Sequence, residues 1–140
     1  MNISEPKNGG NPDPAQLQRT LWLFWSMFLG SSMVFLGLGY LLLLDRKLQV
    51  PTRSVSEGII LAAGVLAILV AEVALRALRK GSSSSDPKRK MFTAIGVFAA
   101  VESIAVSGLL LAVFAGNTQP LILLGAIAVV TFLRIALEMR

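Results

Sequence analysis

The chain has 140 residues, of which 54% are hydrophobic and 15% are charged, and its mean hydropathy is +0.70. This composition is too apolar for an ordinary soluble domain of this length and predicts a membrane protein. The absence of histidine and cysteine excludes disulfides, thiolate metal sites, histidine-ligated haem and histidine-activated nucleophiles. We therefore expect no metal, no cofactor and no catalytic residues. The net charge of +5 comes from basic residues beside apolar runs, which argues against nucleic-acid binding.

Residues 1–18 are rich in Asn, Gly and Pro and contain few apolar side chains. Such a segment cannot bury enough surface to order itself, so we predict a disordered cytoplasmic tail. The remaining residues, 19–140, are predicted to form one transmembrane domain.

Four apolar segments make up this domain, at about 21–44, 58–78, 91–114 and 120–137. A helix needs about 20 apolar residues to cross a bilayer, and these segments are of that order. Proline, glycine, serine or asparagine residues lie in each of the connections between them. The predicted fold is therefore an all-α, integral membrane four-helix bundle.

The distribution of basic residues predicts how the bundle is oriented. Of the 13 lysines and arginines, all except Arg46, Lys47 and Arg53 lie in or directly after the tail, in or beside the connection at 79–90, or near the C-terminus. By the positive-inside rule, both termini and that connection are cytoplasmic, in a bacterial-type plasma membrane. We interpret 79–90 as a flexible linker and topology anchor; binding to anionic lipid head groups is the alternative.

The first predicted helix carries most of its aromatic residues near its cytoplasmic end. Trp22, Phe24, Trp25 and Phe28 are typical of the aromatic belt that anchors a span at the interface. Its Gly30-Ser31-Ser32 sequence could allow another helix to approach closely.

The second predicted helix has alanines at positions 63, 67 and 71, a spacing that lets helices pack closely in lipid. It also carries Glu72, with Arg76 four residues later on the same face, so a structural ion pair within the helix is expected. A role for Glu72 in a proton relay or a stator contact is the alternative.

The third predicted helix has a single carboxylate, Glu102, near the middle of its apolar run. An ionisable side chain near the bilayer midplane costs free energy and is by default a functional hypothesis. Isolated in lipid, this carboxyl would hold its proton and ionise only where water or a cation is available. Two structural alternatives stay open: a hydrogen bond that joins helices, or an ion pair with Arg134.

Small residues of the third helix fall on one line, at positions 96, 99, 100, 103 and 107. We expect this line to pack against a neighbouring helix, with Glu102 on a separate, bulkier face. Ser103 and Ser107 are the hydroxyls that could support the carboxylate.

In the fourth predicted helix, Arg134 shortens the apolar core. It could extend to the interface and pair with Glu138 on the same face. Alternatively, Arg134 could reach a carboxylate on another helix and keep that acid charged.

Residues 86–114 resemble the carboxylate-bearing second helix of the ATP synthase c subunit, the proteolipid of the rotary ring. The resemblance lies in Pro87 after a polar loop, Met91-Phe92, Val101-Glu102-Ser103 and Gly108-Leu109. It implies that Glu102 is a proton-binding carboxylate. Sodium-binding members use a glutamine on the preceding helix, and because the second helix here has none, the resemblance implies protons. A c subunit is usually one hairpin, whereas this chain adds one helix before it and one after it.

Three functions follow from these features. The first is a proteolipid-like subunit involved in proton translocation. The second is a non-catalytic accessory or assembly subunit of a larger membrane complex. The third is a small proton-coupled exporter. The expected partners are the lipid bilayer and either further copies of the chain or other membrane subunits.

Overall fold

The computed structural model describes residues 13–44 and 56–139. This part of the chain contains four α-helices and no strand: α1 (Pro14–Leu44), α2 (Glu57–Ser82), α3 (Pro87–Ala115) and α4 (Gln119–Glu138). Each helix is long and apolar enough to cross a membrane. The prediction of an all-α, four-helix membrane protein is confirmed.

The helices begin and end where the local sequence satisfies their terminal backbone groups. Helix α1 starts at Pro14 because the Asp13 carboxylate accepts a hydrogen bond from the Ala15 amide at 3.2 Å. It therefore extends into residues 14–18, which were predicted as part of the tail; residues 1–12 lie outside the described residues.

The connection between α2 and α3 is shorter than the predicted linker at 79–90, because α2 continues to Ser82. The hydroxyls of Ser82 and Ser83 donate to the carbonyl oxygens of Arg79 and Lys80. After this turn, Asp86 caps α3 by accepting from the Lys88 amide at 3.0 Å, with Pro87 in the first turn.

The connection between α3 and α4 is a tight turn. Gly116 ends α3 with φ 65°, in the left-handed region that favours glycine. The Asn117 side chain then accepts from the Gln119 amide at 3.0 Å, and Pro120 lies in the first turn of α4. This turn makes α3 and α4 antiparallel neighbours.

Helices α3 and α4 form the centre of the bundle. They contact each other, and both contact α1 and α2, whereas α1 and α2 do not contact each other within the described ranges. Helices α1 and α2 therefore pack on opposite sides of the α3–α4 pair. Phe98 of α3 and Phe132 of α4 are fully buried between them, and Phe28 of α1 lies against Phe98.

Small residues set the closest helix contacts. A Cβ atom on Gly108 of α3 would lie 2.8 Å from the Leu124 Cβ and 3.2 Å from the Pro120 carbonyl oxygen of α4. On α2, Ala67 and Ala71 are buried, which confirms the close packing predicted from the alanine spacing. Large apolar side chains instead cover the outer surface, as expected where helices face lipid.

The small-residue line of α3 borders α2, where it lines open grooves and does not make a close contact. Gly96 has no atom within 4 Å of the position that its Cβ would occupy, and Ser103 and Ser107 are exposed. Within this chain, the prediction that this line packs closely against a helix is wrong. The close contact lies at Gly108, about 120° around the axis of α3 from Gly96.

Candidate functional site

Glu102 lies in the middle of α3 and is partly buried. Its neighbour Val101 is completely buried, and so is Phe98, one turn earlier. With 100° of rotation per residue, Glu102 lies at the edge of the buried face, on the side that also carries Phe98 and Leu109. That side faces α1, because Phe98 contacts Phe28 and Leu109 lies against Gly39.

Each of the other described carboxylates has an evident place. Asp13, Glu57 and Asp86 lie at the starts of helices, where negative charge is favourable. Two more, on α2 and α4, form ion pairs with arginines. Glu102 takes part in no ion pair or hydrogen bond with any other residue that the structure describes. It is therefore the one described acid that is both mid-helix and without a polar partner.

Glu72 pairs with a residue of another helix. Its Oε1 accepts a hydrogen bond from Nη1 of Arg134 on α4 at 2.7 Å. The structure thus favours the alternative in which Arg134 reaches a carboxylate on another helix. Among the described residues, Arg76 makes no ion pair, although it lies four residues from Glu72.

Glu138 also pairs across the bundle. Its Oε1 accepts from Nε of Arg79 at 3.0 Å and from Nη2 of the same guanidinium group. Because Arg79 occupies this carboxylate, the expected pair of Arg134 with Glu138 within α4 does not form. The two salt bridges together join α2 to α4.

These ion pairs are separated from Glu102 by the bundle itself. Both lie between α2 and α4, whereas Glu102 lies on the side of α3 that faces α1. In this arrangement Arg134 does not pair with Glu102. The described part of the chain therefore provides no cation that neutralises the Glu102 carboxylate.

Ser103 and Ser107 are not brought to the carboxylate. The Ser103 hydroxyl donates to the Ala100 carbonyl oxygen at 2.6 Å, and the Ser107 hydroxyl donates to the Ser103 carbonyl oxygen at 2.7 Å. Ser103 projects about 100° around the helix axis from Glu102. Both hydroxyls are satisfied by the backbone of their own helix.

A serine that the sequence indicated only as part of a close-packing segment, Gly30-Ser31-Ser32, lies on the side of α1 that faces the bundle. Ser32 of α1 is completely buried, and its hydroxyl oxygen has no hydrogen-bond partner in the described structure. Its position one turn after Phe28 could have drawn attention to it, but a small polar residue in a span is equally compatible with an outward position.

Trp25, one of the predicted interfacial aromatic residues, forms a hydrogen bond with α4. Its indole Nε1 donates to the Phe132 carbonyl oxygen at 2.9 Å. Because the indole is used in helix packing, it anchors α1 to the bundle.

No group of three or more histidine, cysteine, aspartate or glutamate side chains in the described ranges could hold a metal ion. Comparison with protein-family models, with curated proteins and with solved structures finds no significant match to this chain. The function is therefore inferred from the residues of this chain alone.

Proposed function

We propose that this chain is a membrane subunit that binds and releases a proton at Glu102 as part of a proton-translocating assembly, in the way that the resemblance to the rotary proteolipids implies. The observation that carries the proposal is the contrast between Glu102 and the other acids of the helices. Glu72 and Glu138 have arginine partners, whereas Glu102 is mid-helix without one.

The chemistry follows from this isolation. A carboxylate without a cation partner is costly in a membrane, so the neutral, protonated form is favoured while the side chain is shielded from water. Where a partner subunit provides water or a cation, the ionised form is stabilised and the proton leaves. Such a group carries a proton between two environments without any cofactor.

The proposed setting is a bacterial-type plasma membrane with both termini in the cytoplasm. The basic residues at the end of α2 and the start of α3 support it, because Arg79, Lys80 and Lys88 lie at the same end of the bundle.

The test is reaction of the full chain, in its native membrane, with a hydrophobic carbodiimide that modifies protonated carboxyls. We expect the adduct on Glu102, its loss at high pH, and loss of coupled proton movement with Glu102→Gln. Glu57→Gln, which neutralises an exposed acid at the start of α2, is the matched control and should leave both measurements unchanged. Absence of labelling, together with unchanged proton movement in Glu102→Gln, would refute the proposal.

A second candidate is a non-catalytic accessory or assembly subunit. It is favoured by the open groove between α2 and the small-residue line of α3, where no atom lies within 4 Å of the position of a Cβ on Gly96. Gentle extraction and native mass measurement separate the possibilities. A large homo-oligomer favours a ring, defined foreign subunits favour the accessory role, and a dimer favours the exporter.

A further inference from the structure

We propose that the groove between α2 and α3 holds one anionic phospholipid, with an acyl chain along the apolar groove and the head-group phosphate between Lys80 and Arg89 at its mouth. The phospholipid comes from the membrane itself. The proposal goes beyond the proton site and does not depend on it, because Glu102 lies about 120° around α3 from Gly96, which lines the groove.

The first observation is the shape of the α2–α3 contact. The two helices approach closely near their connection, where a Cβ atom on Gly81 would lie 2.6 Å from Cγ2 of Thr93. Beyond this contact they leave an open groove of about 500 Å³. On α3 the groove extends from Phe92 to Ala100, about 12 Å along the helix axis. One leaflet of a bilayer has about 15 Å of hydrocarbon, so the groove is long enough for most of an acyl chain.

The second observation is the apolar lining of the groove. Apart from the Thr93 hydroxyl, every side chain that lines it is apolar. A smaller groove of about 140 Å³ continues along the same two helices from Val70. The hydroxyls of Ser103 and Ser107 border this second groove and donate to the backbone of their own helix. The surface therefore suits a hydrocarbon chain.

The third observation is the position of two basic residues at the mouth of the groove. Lys80 follows Val73 by seven residues, and Arg89 precedes Gly96 by seven. Seven residues bring a helical side chain to within about 20° of its starting direction, so both basic residues are in line with the groove. Both are exposed, and neither forms an ion pair with any residue that the structure describes.

The neighbouring charged residues are used elsewhere. Arg79 pairs with Glu138, and Lys90 lines a cavity beside the same carboxylate. Asp86 is the one acid in the connection at 79–90, and its carboxylate accepts a hydrogen bond from the Lys88 amide at the start of α3. The mouth of the groove therefore carries two cations that the described chain does not neutralise.

An apolar groove that ends at two cations matches an anionic amphiphile. Ammonium and guanidinium groups bind phosphate, and basic residues next to a membrane span attract anionic lipids. A protein helix in the groove would leave these cations without a partner unless it also supplied acids at the same level. A phospholipid supplies the anion and the apolar chain in one molecule.

The head-group site is tested by native mass spectrometry of the full chain in mild detergent, titrated with phosphatidylglycerol or with phosphatidylcholine of the same acyl chains. We expect one phosphatidylglycerol to bind more tightly than phosphatidylcholine. Lys80→Gln and Arg89→Gln should each weaken phosphatidylglycerol binding about fivefold, the effect of one basic residue near an anionic surface. Lys88→Gln is the matched control, because Lys88 projects about 80° from Gly96, and it should leave the affinity unchanged.

Occupation of the groove is tested with Gly96→Leu. No atom lies within 4 Å of the position of its Cβ, so the new side chain enters the groove without disturbing the bundle, and far-UV circular dichroism checks the fold. Binding of both lipids should fall about tenfold or more. Gly30→Leu is the control, because Gly30 of α1 is equally open but does not line the groove.

A cross-link identifies the occupant in the native membrane. Because the chain contains no cysteine, Gly96→Cys places a single thiol in the groove. Benzophenone maleimide attached to this thiol and then irradiated should give an adduct with the added mass of a phospholipid.

Each part of the proposal has its own refutation. Equal affinity for the two lipids, or a loss in Lys88→Gln as large as that in Arg89→Gln, would refute the head-group site. Unchanged binding in Gly96→Leu would show that the acyl chain lies outside the groove. A cross-link from Gly96→Cys to a second copy or to another protein would overturn the proposal, because the groove would then be a protein interface. None of these results bears on carbodiimide labelling of Glu102, which tests the proton site separately.

Discussion

Replacing two glycines of α3 by alanine, one at a time, should change the free energy of unfolding in different ways. In Gly108→Ala the new Cβ lies 2.8 Å from the Leu124 Cβ and 3.2 Å from the Pro120 carbonyl oxygen. Neither neighbour can move alone, because one is backbone and the other is attached directly to it, so α3 and α4 must separate. In Gly96→Ala the new Cβ meets nothing within 4 Å.

The pair of variants isolates the packing energy. Both glycines are in the interior of the same helix, so the gain in helix propensity of about 1 kcal/mol is common to both and cancels. The remaining difference is the cost of overpacking, about 1–3 kcal/mol. We therefore expect the free energy of unfolding of Gly108→Ala to be lower than that of Gly96→Ala by this amount.

Reversible unfolding in mixed micelles with increasing dodecyl sulfate, followed by far-UV circular dichroism, measures this difference. The chain is compared as a monomer, so that contacts at Gly96 with other subunits do not contribute. Equal stabilities for the two variants would refute the described packing at Gly108. A larger loss for Gly96→Ala would show that α3 packs on the face that contains Gly96.

Two further predictions concern the attachment of the outer helices. Trp25→Phe removes the hydrogen bond to the Phe132 carbonyl oxygen and should lower the free energy of unfolding by about 1 kcal/mol; Trp22→Phe is the control, and equal losses would contradict the assignment. For the ion pair of Glu72 with Arg134, Glu72→Gln and Arg134→Gln should each lower the free energy of unfolding, and a double-mutant cycle should show that the double variant loses less than the sum of the two single losses. Arg76→Gln should have little effect. Additive losses would mean that the pair makes no coupled contribution.

The number and type of the helices were predictable because each span is defined by its own run of apolar residues. The start of α3 could also be read locally, since Asp86 and Pro87 form a helix N-terminus. The rotation of each helix was not predictable in the same way. In lipid, apolar residues are favourable on the buried and exposed faces alike, so hydrophobic periodicity does not identify the packed side.

This limitation explains why the ion pairs differ from the expected ones. The spacing of four residues within a helix predicted the ion pairs Glu72–Arg76 and Arg134–Glu138, and both are geometrically possible. The rotation of α2 and α4 instead brings Arg134 to Glu72 and Arg79 to Glu138. The rotation of α3 likewise leaves an open groove between Gly96 and α2 and places Gly108 against α4. The rotation of a helix and the partners of its charged residues depend on contacts with other helices. The spacing of residues within one helix does not determine these contacts.

The two kinds of acid in this bundle also give different expectations for a purely structural role. An acid that only holds helices together should have a partner, as Glu72 and Glu138 do, and its loss should reduce stability. Glu102 has no such partner in the described chain, so Glu102→Gln replaces the carboxyl by a neutral amide of the same size without breaking an ion pair or a hydrogen bond seen in the structure. Glu102→Gln should therefore preserve or increase stability while it abolishes proton binding, and Glu72→Gln should do the reverse. Stability that falls with Glu102→Gln as it does with Glu72→Gln would identify Glu102 as a structural acid.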